Sequence, residues 1–194
     1  RYIRPRDRVL DLACGLGYGC ETMYRGSNAI SVKGLDNSAF AISYAQSVYG
    51  EQERISFKRE DASSLSSSPI GHYDLIASFE TIEHLENPEL FLKNCLNTLT
   101  PGGRFVCSVP NLWVDDDGND PNPHHLHVFD FERIKDLVEK YFIVEQIFSQ
   151  KAGGGLISSH KETSIVEVEL NGEYEQADAE WWIVIGMKDP LPES

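Results

Sequence analysis

Arg8-Val-Leu-Asp-Leu-Ala-Cys-Gly-Leu-Gly-Tyr-Gly-Cys20 carries the clearest structural signal in this chain. Its first part, Arg8–Ala13, is a short apolar run typical of a strand that is buried in a parallel sheet. Gly15, Gly17 and Gly19 follow, and glycines let the backbone turn sharply and come close to a ligand. A strand that turns through glycines into a helix predicts a nucleotide site at the N-terminus of that helix.

Strand-like and helix-like segments alternate outward from this stretch, with short gaps between them. The predicted strands are Arg8–Ala13, Ala29–Leu35, Arg54–Arg59, Tyr73–Phe79, Arg104–Val109, Phe142–Phe148 and Trp181–Met187, with one plausible extra strand at Ile165–Leu170. The predicted helices follow Gly17 and cover Ser38–Tyr49, Pro88–Leu99 and Asp130–Tyr141. This order predicts an α/β fold, a doubly wound sheet of seven mostly parallel strands with an antiparallel edge strand.

The length of 194 residues predicts a single domain, 1–194. Residues 150–180, with three consecutive glycines, are the least regular part of the sequence and predict an insertion before the last strand. Because the first residue is Arg1, we expect the numbered chain to be a fragment of a longer protein.

The charge balance restricts the class of partner. Lys and Arg number 17 against 31 Asp and Glu, a net charge of −14. Such an acidic surface repels phosphate backbones and anionic lipids, so neither DNA nor RNA is an expected partner. No apolar run approaches the roughly 20 residues that span a bilayer. The cysteines show no CxxC pair and predict reduced thiols in a cytoplasmic protein: Cys14, Cys20, Cys95 and Cys107.

The glycine-rich stretch departs from a dinucleotide fingerprint at its third glycine. That fingerprint requires glycine at position 20, where this chain has Cys20, and the extra glycine stands one residue earlier, at Gly19. Asp36, at the end of the second predicted strand, is spaced for hydrogen bonds to ribose hydroxyls. Asp61 and Ala62 follow the third strand, where they would flank an adenine ring. These residues indicate an adenosine cofactor.

The residues resemble the motifs of class I S-adenosylmethionine-dependent methyltransferases of the type 11 and type 23 families. Five segments match in order and spacing: Val9–Gly17, Gly34–Asp36, Glu60–Ala62, Tyr73–Ala77 and Leu99–Gly103. The resemblance implies a Rossmann-like sheet with S-adenosylmethionine as cofactor. Asp11 and the Gly15–Gly17 loop would hold its methionine part, Asp36 its ribose and Asp61 its adenine. The full set of candidate cofactor residues is Asp11, Ala13, Gly15, Gly17, Tyr18, Asp36, Asn37, Asp61, Ala62, Phe79 and Glu80.

A second group of candidate residues follows the fourth predicted strand. Glu80, Glu83 and His84 are spaced at i, i+3 and i+4, which places all three on one side if the turn is helical. His127 belongs to a segment, Asn122–Asp130, that contains three histidines. Carboxylate and imidazole together suit a divalent cation such as Mg²⁺, Mn²⁺, Fe²⁺ or Zn²⁺.

This pattern also resembles the metal site of small-RNA 3′-end 2′-O-methyltransferases, and its first part is similar to ubiquinone-biosynthesis O-methyltransferases. That resemblance implies that Glu80, Glu83, His84 and His127 hold a metal that acidifies an acceptor hydroxyl. Two alternatives remain open. His84 or His127 acts as a general base without metal. Otherwise the glutamates line the cofactor pocket or cap the next helix, and the histidines lie in a solvated loop.

Two further features bear on the acceptor. The acidic run Asp115–Asp120 lacks the closing glutamate of a calcium-binding EF-hand loop, so we expect a mobile loop over the acceptor site. Trp113 is a candidate wall for that site, whereas at least one of Trp181 and Trp182 is expected in the core.

The leading functional hypothesis is O-methylation of a small-molecule hydroxyl, in a sugar or glycoside, a phenol or a quinone precursor. One alternative is 2′-O-methylation of an RNA terminus with a Glu/His metal site, against which the acidic charge weighs. The other is a non-catalytic module of a larger protein that binds S-adenosylmethionine. The sequence indicates no oligomeric state.

Overall fold

The computed structural model describes residues 1–67, 72–112, 117–151, 164–170 and 179–190. Within these ranges the chain forms one sheet of eight strands in the order β3-β2-β1-β4-β5-β8-β6-β7. The strands are β1 Arg8–Leu12, β2 Ser31–Asp36, β3 Ile55–Arg59, β4 Tyr73–Phe79, β5 Leu99–Pro110, β6 Ile143–Lys151, β7 Ser164–Val168 and β8 Trp181–Met187.

In the described part of the chain, four α-helices connect these strands: α1 Tyr18–Arg25, α2 Ala39–Tyr49, α3 Pro88–Thr98 and α4 Phe131–Glu139. Side-chain caps fix three of their N-termini. Ser38, Asn87 and Asp130 each accept a hydrogen bond from the backbone N–H three residues later. Such caps satisfy N–H groups that have no partner inside the helix. Each of these three helices begins within one residue of its predicted start.

The doubly wound, mostly parallel sheet predicted from the sequence is confirmed. β1, β2, β3, β4 and β5 pair in parallel. β8 runs antiparallel between β5 and β6, and β7 pairs antiparallel with β6 at the edge. The sheet has eight described strands rather than seven, because the extra strand that the sequence offered within 150–180 joins it. Residues 152–163 and 171–178 of the predicted insertion lie outside the described residues.

Helices cover both faces of the sheet. On one face α3 and α4 contribute Phe91 and Ile134 to a buried cluster that includes Trp182. On the other face α1 and α2 pack Cys20 and Ala45 into a second cluster. Because β1, β2, β4 and β5 are parallel, their carboxyl ends meet at one edge, where open α/β sheets bind ligands. β8 begins at this edge, since Trp181 pairs with Pro110 at the end of β5.

Two local predictions need correction. β5 begins at Leu99 rather than Arg104, so Pro101–Gly103 lies inside the strand, where the pairing with β4 is irregular. The turn after β4 is a 3₁₀ turn, Ile82–His84, rather than a helical turn that starts at Glu80. Among the described residues, no helix is both long enough and apolar enough to span a membrane.

Candidate functional site

A cavity of about 400 Å³ lies at the carboxyl end of β1, between the glycine loop and β4. Its walls include five of the predicted cofactor residues, and Cys14, Gly19, Thr22 and Met23 complete the lining. The five predicted residues are Asp11, Ala13, Gly15, Tyr18 and Phe79. Tyr18 and Thr22 are one helical turn apart, so α1 presents both to the cavity. The sequence pattern did not single out Thr22 or Met23.

The loop between β1 and α1 takes a backbone course that favours glycine. Ala13, Gly15 and Gly17 all have positive φ angles, of 59°, 54° and 85°. A methyl group on Gly17 would lie 2.8 Å from the Ala45 Cβ atom and 2.8 Å from Phe57 Cε1. A methyl group on Gly15 would meet no atom within 4 Å. Gly17 therefore seats the loop on the core, whereas Gly15 leaves room for a ligand.

Asp36 fixes this loop from the end of β2. One carboxylate oxygen accepts the Gly15 N–H at 2.9 Å, and the other accepts the Ser38 N–H at 2.8 Å. A carboxylate offers about four lone-pair positions, so both oxygens can still accept a hydroxyl. Asp36 is therefore suited both to hold the loop and to contact a ribose.

Asp11 forms the buried floor of the cavity, with 4% of its surface exposed. Burial raises its pKa to about 6, although a hydrogen bond from the Cys20 thiol, at 3.2 Å, favours the charged form. A methyl group on Gly19 would approach the Asp11 carboxylate to 3.0 Å. The α1 backbone passes directly over Asp11 at this point, so a side chain at position 19 would crowd the carboxylate. This explains why position 19 is a glycine.

Three other predicted cofactor residues, Asn37, Asp61 and Ala62, do not line this cavity. Asn37 is exposed, and its carbonyl accepts a hydrogen bond from Arg59. The exposed Asp61 accepts two hydrogen bonds from Ser63 and so caps the turn that follows β3. Ala62 is buried in the core. Ligand contacts of these residues stay a prediction.

A second cavity, of about 430 Å³, lies at the same edge, beyond β4 and β5. It combines the turn after β4 with the segment before α4 and the start of β8. Its lining residues are Glu80, Glu83, His84, Pro110, Asn111, Leu112, Asn122, His125, Ala179, Glu180 and Trp181. The consecutive residues Phe79 and Glu80 separate the two cavities, because Phe79 lines the first and Glu80 the second.

Glu80 is held rigidly at this boundary. Its backbone has a positive φ of 50°, and its N–H donates to the Ser108 carbonyl. One carboxylate oxygen accepts the Ser108 hydroxyl, and the other accepts the Trp181 indole N–H at 2.8 Å. Trp182, by contrast, is buried, which confirms that one of the two tryptophans belongs to the core.

Glu83, His84 and His125 form a compact group in the second cavity, with potential ligand atoms within 4.8 Å of one another. Only 1% of Glu83 is exposed, and no group among the described residues donates a hydrogen bond to either carboxylate oxygen. Burial is the main cause that raises its pKa to about 8, and the nearby charges of Glu80 and Asp120 add to it. A buried carboxylate in this state is stabilised by a cation or a hydrogen-bond donor.

The structure does not bring His127 into this group. Its Nε2 atom lies 2.9 Å from the Leu85 carbonyl, and its ring lines a third cavity beside α3 and α4. Of the predicted metal set, Glu83 and His84 come together. Glu80 lines the same cavity but lies outside the cluster, and His125 takes the place expected for His127.

Trp113, the candidate wall of the acceptor site, lies outside the described residues, as do positions 115 and 116 of the acidic run. The described end of the acidic run still reaches the site. Asp117 is exposed, whereas Asp120 is within hydrogen-bond distance of His125. The sequence did not indicate this contact, because an acid and a histidine five residues apart in a loop have no fixed geometry.

Comparison with known proteins assigns the fold to a family. A family model described as a methyltransferase domain matches residues 3–167. The chain belongs to this methyltransferase domain family. The class I S-adenosylmethionine-dependent resemblance deduced from five motifs is thereby confirmed, and S-adenosylmethionine is the cofactor of the family.

Individual relatives agree with this placement. A probable S-adenosylmethionine-dependent methyltransferase of Mycolicibacterium smegmatis is 29% identical over 178 residues, which are 89% of this chain and 66% of the relative. A ubiquinone biosynthesis O-methyltransferase of Maricaulis maris is 33% identical over 107 residues, 54% of this chain and 41% of the relative. The chain thus spans 66% of the first relative and 41% of the second.

Solved structures share the fold. An S-adenosylmethionine-dependent methyltransferase from Mesorhizobium loti superposes with a TM-score of 0.69 at 20% identity, over 94% of this chain and 91% of that one. The first cavity fits the family cofactor in two respects. Gly15 opens onto free space, and the Asp36 carboxylate retains acceptor capacity beside it.

Proposed function

We propose that this chain is an S-adenosylmethionine-dependent methyltransferase that methylates a hydroxyl group of a small molecule. The observation that carries the proposal is the pair of neighbouring cavities at the carboxyl edge of the sheet, with Phe79 lining one and Glu80 the other. A donor in the first cavity and an acceptor in the second would face each other across this boundary. Methyl transfer mainly requires such orientation, together with exclusion of water.

Asp11, Gly15 and Asp36 would hold the cofactor in the first cavity. When bound, S-adenosylmethionine supplies a methyl group that its sulfonium centre has already activated. The chain's own residues therefore need to position the acceptor and remove its proton. A hydroxyl acceptor needs this proton removal far more than an already nucleophilic amine does.

Proton removal is assigned to the group of Glu83, His84 and His125. A carboxylate with two imidazoles is a donor set that suits Zn²⁺, Mn²⁺ or Fe²⁺. The Glu83 oxygens have no hydrogen-bond partner within the described part of the chain, which favours a bound cation. We infer that these three residues hold a divalent cation, which would lower the pKa of an acceptor hydroxyl. Without a cation, His84 would serve as the general base.

The acceptor class follows from the cavity and the relatives. Neither Lys nor Arg is among the described residues that line the second cavity, so it offers no cationic partner to the phosphates of an RNA terminus. The ubiquinone biosynthesis relatives are O-methyltransferases, which supports a hydroxyl acceptor. Sugars or glycosides, phenols and quinone precursors all satisfy these constraints. Reduced, buried cysteines suit work in the cytoplasm.

The test is methyl transfer to a panel of glycosides, catechols and hydroquinones, followed by mass spectrometry with and without EDTA. We expect a mass increase of one methyl group on one class, loss of activity with EDTA and recovery with Mn²⁺ or Zn²⁺. Calorimetry with S-adenosylhomocysteine is the control for an intact cofactor site. If S-adenosylhomocysteine binds but no acceptor is methylated, the non-catalytic module is favoured. If EDTA does not change the activity, His84 is favoured as a metal-free base.

A further inference from the structure

The two imidazoles of the second cavity are each held through Nδ1 by an oxygen atom. His84 Nδ1 lies 2.9 Å from the carbonyl oxygen of His124. A carbonyl oxygen only accepts hydrogen bonds, so Nδ1 must carry the proton. The lone pair of a neutral His84 therefore resides on Nε2, and this atom lies 3.9 Å from a Glu83 carboxylate oxygen.

His125 shows the same arrangement with a different partner. Its Nδ1 atom lies 2.7 Å from Asp120 Oδ2, and the two side chains are only 5% and 11% exposed. An ionised carboxylate also only accepts, so Nδ1 of His125 is the donor and Nε2 keeps the lone pair. The rings of His84 and His125 meet edge to face, with centroids 4.7 Å apart.

The segment that supplies both oxygen atoms is itself well braced. Asp120 Oδ1 accepts the Asn122 N–H at 2.8 Å, and the Asn122 side chain accepts the His124 N–H at 3.0 Å. At its far end, the Leu126 N–H donates to the Glu83 carbonyl at 2.7 Å. The loop from Asp120 to Leu126 is thus tied to the turn that carries Glu83 and His84.

We propose that Asp120 is a positioning residue for this site. Together with the His124 carbonyl, it fixes both histidines as Nδ1–H tautomers, and the Nε2 atom of His84 lies beside the Glu83 carboxylate. The proposal rests on the proposed function of the Glu83 group and deepens it. Outer partners of this kind orient a histidine and raise its basicity, and losing one costs about 10–100-fold in metal affinity.

The proposal is tested first on the unaltered protein. Long-range ¹H–¹⁵N NMR correlations at pH 8 distinguish the two neutral tautomers of a histidine. We expect His84 and His125 to show protonated Nδ1 and unprotonated Nε2. Finding His125 as the Nε2–H tautomer would overturn the proposal without reference to any activity.

The second step uses Asp120→Asn, with Asp117→Asn as the matched control in the same acidic run. An asparagine side chain is uncharged and can either accept from Nδ1–H through its carbonyl or donate to Nδ1 through its amide. Asp120→Asn should therefore weaken the preference of His125 for the Nδ1–H tautomer and leave His84 unchanged. Calorimetry should show Mn²⁺ affinity about 10–100-fold weaker. S-adenosylhomocysteine affinity should be unchanged in both variants. An unaltered His125 tautomer together with unaltered Mn²⁺ affinity in Asp120→Asn would refute the positioning role.

The two proposals fail in different ways. If the unaltered protein binds no Mn²⁺, the metal part of the proposed function fails, and the tautomer measurement still decides the role of Asp120. If S-adenosylhomocysteine does not bind, the methyltransferase proposal fails as a whole. If Mn²⁺ binds the unaltered protein and Asp120→Asn equally well, the positioning proposal alone is refuted.

Discussion

Gly17→Ala gives the sharpest test of how the glycine loop is built. Gly17 has a φ of 85°, and a methyl group there would lie within 2.9 Å of three carbon atoms of Ala45 and Phe57. Both of these residues are buried, in α2 and β3, so neither can move aside freely. The substitution therefore combines backbone strain with overpacking.

The expected loss of stability follows from these two effects. Left-handed backbone costs a residue with a Cβ atom about 1–2 kcal/mol, and overpacking a close-packed core costs about 1–3 kcal/mol. Gly17→Ala should therefore lower the free energy of unfolding by about 2–5 kcal/mol. Urea unfolding followed by tryptophan fluorescence measures this, because Trp182 is 1% exposed in the native state.

Gly15→Ala is the matched control. Its φ of 54° imposes a similar backbone strain, but its methyl group would meet no atom within 4 Å. We expect it to lose only the backbone part, about 1–2 kcal/mol. Equal losses in the two variants would refute the conclusion that Gly17 seats the loop on the core.

Two further predictions concern the carboxylates of the first cavity. Asp36→Ala removes the acceptor for the Gly15 and Ser38 N–H groups and the proposed ribose contact, so S-adenosylhomocysteine should bind at least about tenfold more weakly, or about 1.4 kcal/mol. Unchanged affinity in calorimetry would contradict the assignment. Asp11 has a pKa of about 6 in the folded chain, above its ordinary 3.8, so the native state binds more protons between these values. Stability should therefore fall as the pH rises from about 4 to 6, by on the order of 3 kcal/mol relative to Asp11→Asn. If the free energy of unfolding of both proteins, measured in urea, changes with pH in the same way, Asp11 does not have this role.

The sequence predicts the fold well where local signals are redundant. Ser38 and Gly50 mark both ends of α2, and Trp181–Met187 is an apolar run without breaks, so these elements agree with prediction within a residue. The start of β5 was misjudged for a physical reason. Pro101 and two glycines are typical of a turn, and Gly102 does take a left-handed φ of 71°. Hydrogen bonds to the residue after β8 nevertheless keep the segment in the sheet: the Gly102 N–H donates to the Lys188 carbonyl, and the Lys188 N–H donates to the Gly103 carbonyl.

The site was predictable only where its residues share one local segment. Asp11, Gly15 and Tyr18 belong to a single strand-loop-helix unit, whose geometry the sequence pattern defines. Whether His125 or His127 reaches the Glu83 group depends instead on how a loop packs against the turn of Glu83, although it lies about 40 residues later in the sequence. There the backbone N–H groups of Leu126 and His127 both donate to the Glu83 carbonyl. This docking directs the His127 ring toward Leu85.

The antiparallel strand β8 explains why the boundary between the cavities is rigid. It enters the sheet at the carboxyl edge, so its first residue, Trp181, reaches Glu80, which lies about 100 residues earlier in the chain. Ser108 on β5 holds the other oxygen of the same carboxylate. A side chain fixed by two donors on two different strands loses little further entropy when a ligand binds. The reversed strand therefore contributes its first residue to the wall between the two cavities, where the parallel strand β5 contributes Ser108 near its end.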